Sequence, residues 1–148
     1  MVVAAETFFL DTSVLMYAAG GEHPLRQPCR DALARCVELR VDLVLDAEVL
    51  QEVLHRYFSI GRPEVARSVY EAAVRLADEV LAVEERHTAR ALELLLDHHR
   101  SGLTPRDAVH VAVMETRGLS KVLSTDRHFD SLAQVERVDP AAFSRASS

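Results

Sequence analysis

The sequence predicts a three-layer α/β/α fold built on a mostly parallel central sheet of four to five strands. Three observations predict it. Short apolar runs of strand length alternate with longer segments of helical periodicity. Cap and breaker residues fall at the changeovers between them. Strands separated by helices are joined by right-handed crossovers, which put helices on both faces of a parallel sheet.

The elements follow in order. TFFL, residues 7–10, is a short apolar and aromatic run ending at Asp11, and predicts a buried strand. Residues 12–19 predict a short helix stopped by Gly20-Gly21, and residues 24–39 a second helix with Pro24 in its first turn. Residues 43–45 predict the second strand. Asp46 can cap the next helix, which reaches to about Ile60 before Gly61. Pro63 opens a helix to about Ala77, and residues 79–83 predict the third strand. Residues 85–100 carry Ala89, Leu92, Leu95 and Leu96 at helical spacing, with His98-His99 at the polar helix end. After the break at Gly102, Thr104-Pro105-Arg106-Asp107 combines a cap, a first-position proline and an acid three residues on, which marks a helix start. That helix runs to near Gly118. Residues 121–124 predict the fourth strand and 135–138 a fifth, with a frayed tail from about 144.

A chain of 148 residues is most simply one domain, 1–148. At that size roughly 70% of the unfolded surface can be buried, enough for a full core. MVVAAETFFLDTS has no basic n-region and is interrupted by Glu6, so it does not predict a signal peptide. No run approaches the ~20 apolar residues of a membrane span. Cys29 and Cys36 share a predicted helix, where seven residues rise about 10.5 Å, too far for a disulfide. Idle thiols point to a reducing, cytoplasmic compartment. The net charge of −6 disfavours a non-specific polyanion binder.

Four acids stand beside the predicted sheet elements: Asp11, Glu52, Asp107 and Asp126. In open α/β sheets ligands bind at the carboxyl ends of the strands. Asp11 directly follows the first strand, Asp126 lies two residues past the fourth, and Asp107 sits at the start of the helix feeding it. Glu52 lies about two turns into its helix, and Glu48, one turn earlier, competes with it. Gathered carboxylates repel one another unless a hard cation sits between them, and Mg²⁺ and Mn²⁺ prefer oxygen ligands.

Each acid taken singly has a plainer reading. Asp107 can complete a capping box with Thr104, Asp11 can cap the helix after it, Asp126 can shape a turn, and Glu52 can face solvent. The functional case therefore rests on the set. Glu52-x-x-His55 and Asp107-x-x-His110 have the spacing of di-iron pairs, but strands interrupt any four-helix bundle; His55 and His110 are expected near the carboxylates instead. An aspartyl phosphatase wants a second acid two residues after the nucleophile, and Ser13 stands there. No Gly-rich phosphate loop and no Cys/His zinc spacing occurs.

With these residues in view, the chain resembles the PIN-domain family, and within it the VapC-type toxin ribonucleases. LDTSVLMY resembles the first acidic motif and VLQEVLHRY the helix of the second, which selects Glu52 over Glu48. LTPRDAVHVAVMETRGL resembles the third, and LSTDRHFD the last, with Ser124 as its hydroxyl residue and Asp126 as its acid. Asp130 is matched less well, as an accessory acid.

The resemblance implies a PIN-like fold and Mg²⁺- or Mn²⁺-dependent hydrolysis of single-stranded or structured RNA. Asp11, Asp107 and Asp126 would be the metal ligands, and Glu52 a ligand or a water-orienting group. Ser124 or Thr12 would position a carboxylate. Arg26, Arg30, Arg56, Arg106 and Arg127 are candidates to guide the RNA backbone. A cognate antitoxin and a homodimer are also implied, with the apolar helices between Pro24 and Ala77 as the docking surface. The competing expectation is a PIN-like module kept for binding or assembly without catalysis; a metal-dependent phosphatase acting on small substrates is a further one.

Overall fold

The structure, a computed structural model, describes residues 6–146. In chain order the elements are β1 (Thr7–Leu10), α1 (Thr12–Ala19), α2 (Arg26–Glu38), β2 (Asp42–Asp46), α3 (Ala47–Ser59), α4 (Pro63–Leu76), β3 (Glu79–Leu81), α5 (Glu85–His98), α6 (Pro105–Thr116), β4 (Lys121–Leu123), a 3₁₀ turn (Arg127–Ser131), β5 (Glu136–Val138) and α7 (Pro140–Arg145). The five strands form one sheet in the order β3-β2-β1-β4-β5. Every pairing is parallel.

β1 is the central strand, and its Phe8, Phe9 and Leu10 are all buried. Successive strand residues point to opposite faces. Phe8 meets Phe143 of α7 edge-on, with ring centroids 5.3 Å apart. Phe9 lies 5.2 Å from the His110 ring of α6. The pair α2/α7 and the pair α5/α6 thus cover opposite faces of the sheet. A strand covered on both sides has no polar face, which is why TFFL is a continuous apolar run.

Several boundaries differ from the sequence expectation, each for a local reason. α2 begins at Arg26, and its first-turn proline is Pro28 instead of Pro24. Position 28 is the third helical residue, where the missing N–H has no intrahelical partner to lose. β3 stops at Leu81 because Glu84 caps α5, its N–H donating to the His87 ring at 2.9 Å. α5 ends at His98. α7 was not expected: Asp139 caps it by accepting from Ala142 N at 3.3 Å, and Phe143 anchors it. Ser144 and Arg145, expected in a frayed tail, complete its last turn, and residues 147–148 lie outside the described residues. The signal-peptide expectation likewise falls partly on residues 1–5, outside those described.

Cys29 and Cys36 are buried free thiols on α2, and burial pushes both to about 11. Among the described residues no helix is long and apolar enough to cross a membrane.

The strand order creates the position of the site. The connection leaving β1 leads toward β2, while the one leaving β4 leads to β5 on the other side. The two paths diverge at the carboxyl ends of β1 and β4, opening a crevice where open α/β sheets bind ligands.

Candidate active site

Asp11 and Asp126 flank this crevice because the ends of β1 and β4 are tied together. The Asp11 N–H donates to Leu123 O at 3.1 Å, extending the parallel ladder by one bond. Ser124, fully buried, then donates its Oγ proton to Asp11 Oδ2 at 2.7 Å and accepts from Asp126 N at 2.9 Å. One hydroxyl therefore holds the Asp11 carboxylate and the Asp126 backbone. Asp11 also caps α1 by accepting from Ser13 N, at a long 3.4 Å. Both bonds go to Oδ2; among the described residues Oδ1 receives none. Burial raises the Asp11 pKa against the opposing pull of His110.

Asp107 starts α6. Its N–H donates to Thr104 Oγ1 at 3.2 Å, so the cap is real. Its carboxylate does not complete a capping box. Asp107 is 7% exposed, and its Oδ2 is buried without a hydrogen-bond partner among the described residues. A desolvated carboxylate oxygen left unpaired is costly. Burial first, then the charges of Asp11 and Asp126, raise its pKa to about 7. Asp107, Asp126 and His128 can each bring one ligand atom within 4.8 Å of the others. His128 lies with its Nδ1 3.1 Å from Asp126 Oδ1. It fits there because position 102 is glycine at φ +84: a Cβ would come within 2.9 Å of the His128 ring.

Glu52 lines the same cleft from α3. It is buried, and its Oε1 accepts from His110 Nε2 at 2.8 Å. His110 Nδ1 lies 2.8 Å from Asp46 Oδ2, and Asp46 Oδ1 caps α3 by accepting from Val49 N at 3.0 Å. Burial alone would lower the His110 pKa, but its bonds to Asp46 and Glu52 outweigh that and hold it well above the ordinary value. An imidazolium donating from both nitrogens satisfies both carboxylates at once. Glu52 is thereby clamped, with Oε2 turned toward Arg106 at 3.8 Å. Glu48 is half-buried and outside the cleft lining.

Asp11, Glu52, Asp107 and Asp126 all line one cleft of about 1040 Å³. Asp107 and Asp126 approach closely, Asp11 joins them through Ser124, and Glu52 is near enough for its charge to oppose ionisation of Asp11. Asp130 is not part of the cleft lining: it is half-exposed and paired with Arg137 Nε at 2.9 Å. Of the two hydroxyls proposed to orient a carboxylate, Ser124 does so and Thr12 does not, since Thr12 Oγ1 has no partner among the described residues. Arg56 and Arg106 line the cleft; Arg26, Arg30 and Arg127 are not part of its lining, and Arg30 instead donates to Ala18 O at 2.7 Å. His55 lines the cleft but is exposed.

The sequence reading missed Asp46 and His128 as neighbours of the site. Asp46 carried a signal, since it stands at the carboxyl end of β2 much as Asp11 directly follows β1. His128 carried none beyond its place in TDRHFD.

The residues present fit a hard divalent cation. They offer carboxylate oxygens in one cleft, one of them buried, partnerless and reluctant to ionise.

A PIN domain family model matches residues 8–135. Ribonuclease VapC13 of Mycobacterium tuberculosis is 36% identical over 129 residues, covering 87% of this chain and 97% of the relative. Ribonuclease VapC23 of the same organism is 40% identical over 119 residues, covering 80% and 91%. Among solved structures, VapC20 of Mycobacterium tuberculosis, a toxin cleaving the sarcin–ricin loop, superposes with a TM-score of 0.69 at 21% identity, covering 84% of this chain and 93% of that one. DNA-bound VapBC from Salmonella typhimurium gives 0.69 at 16% identity, covering 93% and 99%. At those identities the two structures speak for the fold alone.

Proposed function

The chain belongs to the PIN-domain family, and from that premise we propose that it is a metal-dependent endoribonuclease acting as the toxin of a toxin–antitoxin pair. The observation that carries the chemistry is the buried, partnerless Oδ2 of Asp107 beside Asp126 and Asp11. Asp11, Asp107 and Asp126 would hold Mg²⁺ or Mn²⁺, with Glu52 facing them as a ligand or a water-orienting base. A bound ion lowers the pKa of water and stabilises the charge that develops on the phosphoryl oxygens.

The protein's own contribution is positioning. Ser124 fixes the Asp11 carboxylate and the Asp126 backbone with one hydroxyl. The Asp46–His110 pair holds Glu52 so that Oε1 is engaged and Oε2 faces the cleft side, near Arg106. Arg56 and Arg106 would meet the phosphate backbone.

A cognate antitoxin partner is part of the same proposal and follows from the toxin reading of the VapC ribonuclease relatives. Exposed Leu54, Phe58, Tyr70 and Val74 on α3 and α4 are the proposed surface it covers. We also read the chain as one domain, a homodimer and a cytoplasmic protein.

The test is cleavage of a panel of RNAs and of small phosphate esters with Mn²⁺, for the wild type and Asp11→Asn. RNA cleavage that is lost in Asp11→Asn and in excess EDTA is the expected result. Turnover in EDTA, or near wild-type activity of Asp11→Asn, would reject the reading. Hydrolysis of phosphate esters without RNA cleavage would move the protein to another class.

A further inference from the structure

The outer lip of the cleft carries an aromatic pair that the acids do not use. Tyr17 is on α1, six residues after Asp11 and so about 9 Å along the helix axis from it. His23 follows in the α1–α2 loop. Their rings lie 4.7 Å apart at 37°, and both line the same cleft as Asp11, Asp107 and Asp126. Tyr17 is half-buried and His23 exposed. The chain can fold back this tightly because position 20 is glycine: a Cβ there would lie 2.9 Å from Met16 O.

An exposed imidazole ordinarily samples several rotamers. Here His23 is held twice. One ring face lies against Tyr17, and Nδ1 accepts from Leu25 N at 3.0 Å. Using Nδ1 as an acceptor leaves the ring proton on Nε2, which becomes a donor at the lip. The result is an exposed planar group, ordered in advance.

The electrostatics of the cleft call for such a group. The floor is acidic and the whole chain carries −6. Two of the three cleft arginines are partly committed: Arg62 pairs with Glu64 at 3.1 Å, and Arg106 lies 3.8 Å from Glu52. Only Arg56 has no carboxylate partner among the described residues. A polyanion crossing this cleft gains little from charge, whereas unpaired bases can stack on aromatic faces without regard to charge.

We propose that the Tyr17–His23 pair is a stacking platform for one unpaired nucleobase of the RNA strand whose phosphate lies over the acids. This rests on the ribonuclease reading of the same cleft. The exposed ring of His23 receives the base, Tyr17 backs it, and Nε2–H meets a polar edge of the adjoining nucleotide.

The test has a binding arm and a cleavage arm. The chain has no tryptophan, so His23→Trp in the Asp11→Asn background is a single reporter on the platform. Adding a random-sequence single-stranded RNA pool should quench it. In the same background, His23→Ala should bind that pool roughly 5- to 100-fold more weakly, and His23→Phe should recover most of the loss. In the cleavage arm, the best-cut RNA of the pool is remade with one abasic nucleotide at each position in turn. One position should matter for the wild type and cease to matter for His23→Ala, with the effect carried by KM. Equal binding and equal abasic sensitivity in His23→Ala would overturn the platform while leaving the ribonuclease reading intact. Quenching of His23→Trp by RNA in a protein whose wild type cuts no RNA would do the reverse.

Discussion

Asp107→Asn should stabilise the metal-free protein, and by an amount that depends on pH. The folded pKa of Asp107 is about 7, against 3.8 for an ordinary aspartate, because burial and the charges of Asp11 and Asp126 oppose ionisation. The difference is about three units, and each unit is worth 1.36 kcal/mol, so the ceiling is about 4 kcal/mol. Water entering the cleft and relaxation of its neighbours reduce this to roughly 2–4 kcal/mol. The sign follows from proton binding. Below 3.8 both folded and unfolded states hold the proton and nothing is lost. Between 3.8 and about 7 the unfolded chain ionises first, so stability falls as pH rises. Above about 7 the penalty is complete. The amide keeps the carboxylate's shape without its charge. Urea and thermal unfolding in EDTA should therefore separate the two proteins at pH 8, by roughly 5–15 °C in Tm, and bring them together near pH 4. Saturating Mn²⁺ should raise the wild type selectively, by about 2.7 kcal/mol at a hundredfold excess over Kd. A variant no more stable than wild type at pH 8, or a difference that does not change with pH, would refute the assignment of Asp107 as a buried acid whose ionisation its surroundings oppose.

Two further outcomes follow from the same geometry. Ser124→Ala removes the proton donated to Asp11 and the acceptor for Asp126 N, so Mn²⁺ affinity by calorimetry, or RNA cleavage, should fall about 10- to 100-fold with the fold retained. His110→Gln leaves Asp46 and Glu52 short of a charged partner in the interior and should cost about 3–5 kcal/mol in chemical denaturation, whereas His55→Gln, at an exposed position, should cost little.

Much of this architecture is legible in the sequence because it obeys local rules. Thr104 and Asp46 are caps in the sequence and caps in the structure, since a cap is decided by an N–H three residues away. TFFL reads as a buried strand because a strand covered on both faces needs apolar residues throughout. The position of Asp11 at the end of the first strand, and of Asp126 just past the fourth, is likewise a matter of counting along the chain. Short α7 was not legible: six residues make no persuasive helix alone, and its anchor is a contact between Phe143 and Phe8.

The alternation of strand and helix, and the set of four acids beside them, are therefore readable along the chain alone. Where the acids sit relative to one another, and what they bond to, appears only in the folded chain. The fold turned Glu52 inward and clamped it with His110, a residue 58 positions away that also reaches Asp46 across 64 positions. It joined Asp11 to Ser124 across 113 positions. It left Asp107 Oδ2 buried without a partner, and paired Asp130 with Arg137 outside the cleft. The difference lies in the range of the interactions. Capping and periodicity act within a turn or two of the backbone, whereas burial and long-range hydrogen bonds exist only once the strand order has brought the ends of β1 and β4 together.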